Sequence, residues 1–263
     1  MIASTTQPVV TWEKLPDDFV LPDDPVDNIL QPTLAAALTE SLVLAGKLPE
    51  TALTSTNYGI CATVDGKMVV KAPDWAYIPS IRVPRLEVHR SYTPKLQGDL
   101  PLIVMEFLSD KDGSEYSIKP TYPPGKWFFY ERVLQVPYYA IFDLATGSLE
   151  LYKLEASEQY QLLSPDAQHR YWLPEMNLAL GIWSGLREHR PGSWLRWWDA
   201  SGSLLPWGIE KVEQERQRAE QEHQRAEQER QRAEQEHQRA EQERQRAERL
   251  VAQLRAAGLD LDQ

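Results

Sequence analysis

The chain has 263 residues, 42% of them hydrophobic, with a net charge of −11, nine tryptophans and a single cysteine, Cys61. One cysteine excludes a disulfide framework within the chain and fits a reducing compartment, and no stretch approaches the ~20 apolar residues of a membrane helix. Residues 208–263 carry eleven Lys/Arg against fourteen Asp/Glu, a net of −3 that leaves −8 on the first 207, and neither part contains a basic run of the kind that grips nucleic acid without regard to sequence.

Met1 is followed by Ile-Ala-Ser-Thr-Thr-Gln. That opening has neither a basic n-region nor an apolar core, so no signal peptide is expected and the reading is cytoplasmic. Residues 1–27 are rich in Pro, Asp and Thr and read as an extended arm without regular structure. From Asn28 to Leu48 the pattern turns helical, with Leu30, Leu34, Leu38, Leu42 and Leu44 as an apolar stripe and Gly46 as a C-cap. Glu40 lies on this helix. Tyr58 to Ala72 predicts a hairpin around the Asp65-Gly66 turn, and Pro73-Asp74-Trp75-Ala76-Tyr77-Ile78 begins a further strand.

Residues 79–99 read as a long irregular connection. Leu100 to Leu108 is a nearly continuous apolar run, LPLIVMEFL, which suits a strand buried on both faces. After a polar loop over 109–125, Lys126 to Val133 predicts a short helix. Pro137 to Leu144, Leu149 to Leu154 and Tyr160 to Leu163 read as strands, and residues 171–198 form a Trp-rich closing segment. The predicted class is mixed α/β, with a mixed central sheet flanked by helices. Its domains are the arm (1–27), a core domain (28–207) and a long charged helix (208–263).

That last segment repeats Arg-Ala-Glu-Gln-Glu-(Arg/His)-Gln with a period of seven from Arg218. Val212, Ala219, Ala226, Ala233, Ala240, Ala247 and Leu254 share one heptad position. Three residues earlier stand Ile209, Arg216, His223, Arg230, His237, Arg244 and Val251, so only the ends of this seam are apolar at both positions. Coiled coils need apolar residues at both throughout. A solvated helix laced by i,i+3 and i,i+4 ion pairs is the favoured reading over self-association.

Three residues carry candidate chemistry. Glu106 interrupts the apolar run, and a carboxylate there is costly unless paired or bound to metal, although a strand-end position facing water would also explain it. Asp74 after Pro73 is by itself a turn signal. Lys126 after Pro-Pro-Gly is by itself a surface lysine. Cleavage of a phosphodiester by a divalent metal needs carboxylates on rigid elements to hold the cation and a lysine to stabilise charge. Trp183, Trp194, Trp197, Trp198 and Trp207 could stack bases, but core closure or a dimer face is the plainer reading.

Four blocks stand in order: Pro73-Asp74; Glu106-Phe107-Leu108-Ser109; Lys126-Trp127-Phe128-Phe129-Tyr130; and Val136-Pro137-Tyr138 through Asp143. In these the chain, over about residues 30–185, resembles the bacterial restriction-endonuclease family of the Uma-two type, within the PD-(D/E)XK nuclease superfamily. The resemblance implies a restriction-endonuclease-like core and a Mg2+- or Mn2+-dependent endonuclease acting on DNA. It implies Asp74, Glu106 and Lys126 as catalytic residues, with Asp74, Glu106, the Phe107 carbonyl and Glu40 toward the metal; for Glu40 an exposed glutamate on the helix is the plainer reading. Lys126 is then a lysine moved to the helix, since Leu108 occupies its usual strand position; Lys119 is the rival. By helical spacing alone, Tyr130 would either orient Lys126 or pack against the sheet. The family often follows its Glu-x-x-Ser with a basic run, where this chain has Asp110-Lys111-Asp112-Gly113-Ser114-Glu115. A homodimer and a protein partner on the C-terminal helix are further expectations. The alternative is a catalytically silent scaffold of the same fold.

Overall fold

The computed structural model describes residues 8–16, 18, 19, 29–108 and 113–256. Most of the extended arm, and Ser109 with the acidic stretch Asp110–Asp112, therefore lie outside the described residues. The chain divides into two compact units, one ending at Trp207 and the other beginning at Gly208.

In the first unit a six-stranded mixed sheet has the order β2 (Leu53–Ser55), β5 (Trp75–Ile78), β6 (Ile103–Leu108), β7 (Tyr138–Asp143), β8 (Ser148–Leu154), β9 (Tyr160–Leu162). Only β6 and β7 are parallel; the other neighbours are antiparallel. Side chains alternate across a strand, and here the alternation separates two cores. Trp75, Tyr77, Ile103, Met105, Phe107, Tyr138, Ala140 and Phe142 face one core, where α1 (Leu30–Leu44) contributes Leu34, Leu38 and Leu42. Ala76, Val104, Tyr139 and Ile141 face the other, against Phe129, Tyr130, Val133 and Leu134. Both faces of β6 are thus covered, which is why its sequence is apolar nearly throughout.

The predicted helix after the polar loop is α2 (Lys126–Phe128), which continues as a π-helical turn over Phe129–Leu134. The hairpin is β3 (Ile60–Val64) and β4 (Lys67–Lys71), closed by Asp65 and Gly66, both at positive φ as a primed two-residue turn requires. Val10–Thr11 (β1) adds to β3. This corrects the expectation of an arm without regular structure: a strand edge recruits backbone through N–H and C=O groups, so Val10 and Thr11 needed no side-chain pattern to pair.

The Trp-rich segment is a three-stranded antiparallel sheet of β10 (Arg170–Leu173), β11 (Leu178–Arg187) and β12 (Arg190–Asp199). Its inner face closes the first core with Leu178, Leu180, Leu195 and Trp197. Its outer side carries Arg196, whose guanidinium lies 3.6 Å from the Trp207 ring centroid and 5.1 Å from that of Trp183. Trp194, Trp197, Trp198 and Trp207 are buried, which fits core closure, while Trp183 is half-buried.

The second unit is α3 (Gly208–Ala256), a helix with no buried residue among those described. Pairs such as Arg218–Glu222 at 3.2 Å and Arg216–Glu213 at 2.9 Å run along it. No helix is long and apolar enough to cross a membrane among the described residues.

Trp197 is fully buried, 5.8 Å from the Trp75 ring, and donates its indole N–H to the Leu38 carbonyl at 3.2 Å. Trp197→Ala should cost about 3–5 kcal/mol of stability, read by urea unfolding followed by tryptophan fluorescence. A loss below about 1 kcal/mol would show that β12 does not close the core through this ring.

Candidate active site

The strand register builds the site. Trp75 pairs with Met105 in the antiparallel β5–β6 ladder, so one step further along Asp74 stands opposite Glu106. Both project to the face that holds Val104 and Ala76. Asp74 sits just before β5, and its Oδ2 accepts the Phe107 N–H at 2.6 Å. The aspartate thus takes the place of a ladder carbonyl and is held against the strand that carries the glutamate.

Glu106 is fully buried. Lys126 Nζ donates to its Oε2 at 2.9 Å and the Tyr130 hydroxyl donates to its Oε1 at 2.8 Å. Lys126 and Tyr130 are four residues apart and so share a helix face. Of the two readings of Tyr130, packing against the sheet is the one the structure shows: the ring is buried in the second core and its hydroxyl bonds Glu106, not Lys126. Gly125 sets where this helix starts. A Cβ at that position would fall 2.0 Å from the Ser117 carbonyl oxygen, so only glycine allows the loop to pass so close.

Burial pushes Glu106 up to about 8; Lys126 opposes that shift and Asp74 adds to it. Burial likewise raises Asp74, offset by the Phe107 N–H, by Lys126 and by a hydrogen bond with Glu106. Burial thus works against the charged form of both acids, and a charged Asp74 raises the cost of charging Glu106 further. Burial works to lower Lys126, but Glu106, Glu115 and Asp74 together raise it and keep it charged.

Glu115 was read in the sequence only as part of an acidic stretch. It lies in a 3-10 turn (Gly113–Tyr116), is buried, and its Oε1 is 3.4 Å from Lys126 Nζ. Its Oε2 is buried without a hydrogen-bond partner among the described residues. No local pattern marks Glu115; its burial follows from the backbone, where the Tyr139 hydroxyl donates to the Glu115 carbonyl at 2.9 Å. Gln31 was also missed. Its side-chain amide donates to the Phe107 carbonyl at 2.8 Å.

The structure does not bring Glu40 to these groups. Gln31 is the α1 residue that reaches the site strand, and nine residues of helix carry Glu40 ~13 Å further along. There Glu40 pairs with Arg187 at 3.4 Å. Among the described residues no group of three His, Cys, Asp or Glu side chains is placed to hold a metal ion. Lys119 is exposed in the loop and binds the helix start through its carbonyl, which accepts the Gly125 N–H at 2.8 Å.

The donor chemistry nevertheless suits a hard divalent cation at the acid pair. Asp74 and Glu106 present carboxylate oxygens side by side, and the Phe107 carbonyl has a second lone pair beyond the one that Gln31 uses. Two buried acids side by side, each held toward its neutral form by burial, are relieved by a bound cation. A surface hollow of about 650 Å³ lies apart from this chemistry, lined by Leu30, Leu144, Thr146, Ser184, Ser193 and Trp194 among others, but not by Asp74, Glu106 or Lys126.

A family model named Uma2 and described as "Putative restriction endonuclease" matches residues 20–187. A solved structure described as a "putative nuclease belonging to DUF820 from Anabaena variabilis ATCC 29413" is similar over 59% of this chain and 76% of that one, at 11% identity and a TM-score of 0.35. No curated protein matches the chain.

Glu106 in the folded, metal-free chain keeps its proton up to about 8, whereas an exposed glutamate loses it at ~4.3. Between those limits the folded state holds the extra proton, so stability falls as pH rises through the window. Urea unfolding in a chelator at several pH values between about 5 and 8 should show that loss in the wild type and a smaller one in Glu106→Gln. Equal slopes for the two proteins would mean that Glu106 is not a buried acid.

Proposed function

This chain belongs to the Uma2 restriction-endonuclease family, and from that membership we propose that it is an endonuclease that hydrolyses DNA phosphodiester bonds with a divalent cation, Mg2+ or Mn2+. The observation that carries the reading is the pairing of Asp74 opposite Glu106 on adjacent strands, with the Lys126 ammonium 2.9 Å from Glu106.

Asp74 and Glu106 are the residues that would hold the cation, with the Phe107 carbonyl as a third donor. When bound, such a cation lowers the pKa of water and offsets the charge of the scissile phosphate. The remaining work falls to the chain's own groups. The Phe107 N–H fixes the rotamer of Asp74, and the Tyr130 hydroxyl fixes that of Glu106. Lys126 is a quarter exposed, so its ammonium faces both the buried acids and the solvent side. From there it stabilises the extra negative charge that builds on the phosphate in the transition state. Glu115 holds Lys126 from the other side and would keep it in place were Glu106 to ligate a cation.

A catalytically silent scaffold is the second reading. It is favoured by the −8 balance of the first 207 residues and by Gln31 already occupying the Phe107 carbonyl. Calorimetric titration with Mg2+ separates the two readings, since a scaffold has no need of metal at Asp74 and Glu106.

Plasmid DNA incubated with the protein and Mg2+ or Mn2+ should be cut by the wild type and left intact by Asp74→Ala and Glu106→Ala. Lys126→Ala should lower kcat by at least about 100-fold. Because a proton competes for Glu106, metal affinity should rise with pH up to about 8 and then level off. Asp74→Ala cutting as well as the wild type would overturn the assignment.

A further inference from the structure

Positive charge gathers beside the acid pair although the sequence shows no basic run. Lys71 ends β4 and lies on the same face of that strand as Val69, two residues earlier. Val69 is buried in the cluster that contains Phe129 and Tyr130. Lys71 is therefore directed toward the helix that carries Lys126. Its surroundings bear this out: burial lowers its pKa first, then the charge of Lys126, with Glu106 opposing and Lys119 adding.

The loop that carries Lys119 is fastened to the same strand. The Tyr122 hydroxyl donates to the Met68 carbonyl at 3.2 Å, and the Lys67 ammonium sits 5.1 Å from the Tyr122 ring centroid. Lys67, Lys71, Lys119 and Lys126 thus come from two segments distant in sequence and collect on one side of the site. Lys126 is satisfied by Glu106 and Glu115. Lys71 makes no hydrogen bond or ion pair through its ammonium among the described residues, although it is half-buried. A partly desolvated cation pressed toward two like charges is unfavourable in the free protein. An anion laid across the group would relieve it.

We propose that Lys71 and Lys119, with Lys67 at the outer end, form a rim that binds the sugar-phosphate backbone of a nucleic-acid strand and positions it across Asp74, Glu106 and Lys126. This inference rests on the nuclease reading for the identity of the strand. The lysines are positioning residues: they contact phosphates flanking the reacting one and leave the chemistry to the acid pair and Lys126. A strip of separate lysines reads charge and spacing, so the rim confers affinity without base preference.

The test is fluorescence anisotropy of a short fluorescein-labelled DNA duplex in EDTA, where nothing is cut, over a series of KCl concentrations. The wild type should bind with an affinity that falls steeply with salt. Lys71→Ala and Lys119→Ala should each weaken binding to all sequences alike and each reduce the slope of log K against log salt by about 0.9. Lys71→Arg should restore the slope, which a merely structural role for Lys71 would not predict. Lys47→Ala, just beyond α1, serves as the control and should leave the slope unchanged. Slopes equal to the wild type in Lys71→Ala and Lys119→Ala would overturn the rim, as would a wild type that binds no duplex at all. If the wild type binds through these lysines but cuts nothing with Mg2+ or Mn2+, the nuclease reading falls and the rim stands. If it cuts, and the lysine variants keep its slope and KM, the rim falls and the nuclease reading stands.

Discussion

A carboxyl group inside an apolar strand governs the arrangement of this domain. Glu106 is fully buried on β6, and an isolated buried charge costs several kcal/mol or more. The fold offsets part of that cost with a lysine and a tyrosine delivered by one helix, and burial still pushes the acid up to about 8. Delivering both constrains everything nearby. The helix must begin at Gly125, where the chain passes too close to Ser117 for any Cβ. It must then widen into a π turn so that positions 126 and 130 both reach down to the same strand. π turns inside helices recur at functional sites, and here the turn carries the tyrosine that bonds Glu106. The 3-10 turn with Glu115 closes over Lys126 in its turn, anchored by Tyr139 from β7.

The elements that the sequence made legible are those whose side chains face a single core with a regular period. The leucine stripe of α1, the Asp65-Gly66 turn and the LPLIVMEFL strand are of this kind. The three-stranded sheet over 170–199 was harder to read. Its long hairpin turns at Glu188 and His189, both at positive φ, where no Gly or Asn marks a primed turn. Its strands also mix Trp and Arg on the outer side, because Arg196 packs over the Trp207 ring and beside Trp183, which bury its charge. In the site, Glu106 stood out because its neighbours are apolar. Gln31, Lys71 and Glu115 did not, because each is ordinary among its sequence neighbours and becomes significant only through a partner 11 to 76 residues away.

The charged helix obeys a different physics from the domain before it. Over its 49 residues, at 1.5 Å each, α3 extends ~74 Å. No residue of it is buried, so its order comes from helix propensity and from pairs one turn apart. Its alanines form a stripe too narrow and too small to bury much area, flanked by glutamates on both sides. Two copies packed along that stripe would bring glutamate against glutamate, which opposes self-association. A partner with basic residues flanking its own seam meets no such barrier.

Net charge is a poor guide to what this protein can hold. A sum of −8 over 207 residues treats every group as equally near the ligand. At physiological salt, charges more than ~8 Å apart at the surface are largely screened from one another. A phosphate therefore responds to its immediate surroundings and hardly at all to acids on the far side of the domain. Beside Asp74 and Glu106 those surroundings contain Lys71, Lys119 and Lys126. The acidic remainder still acts on approach, since it repels a polyanion that arrives anywhere else. An acidic body with one cationic edge would thus favour placement over affinity: a polyanion meets repulsion over most of the surface and attraction only beside the acid pair.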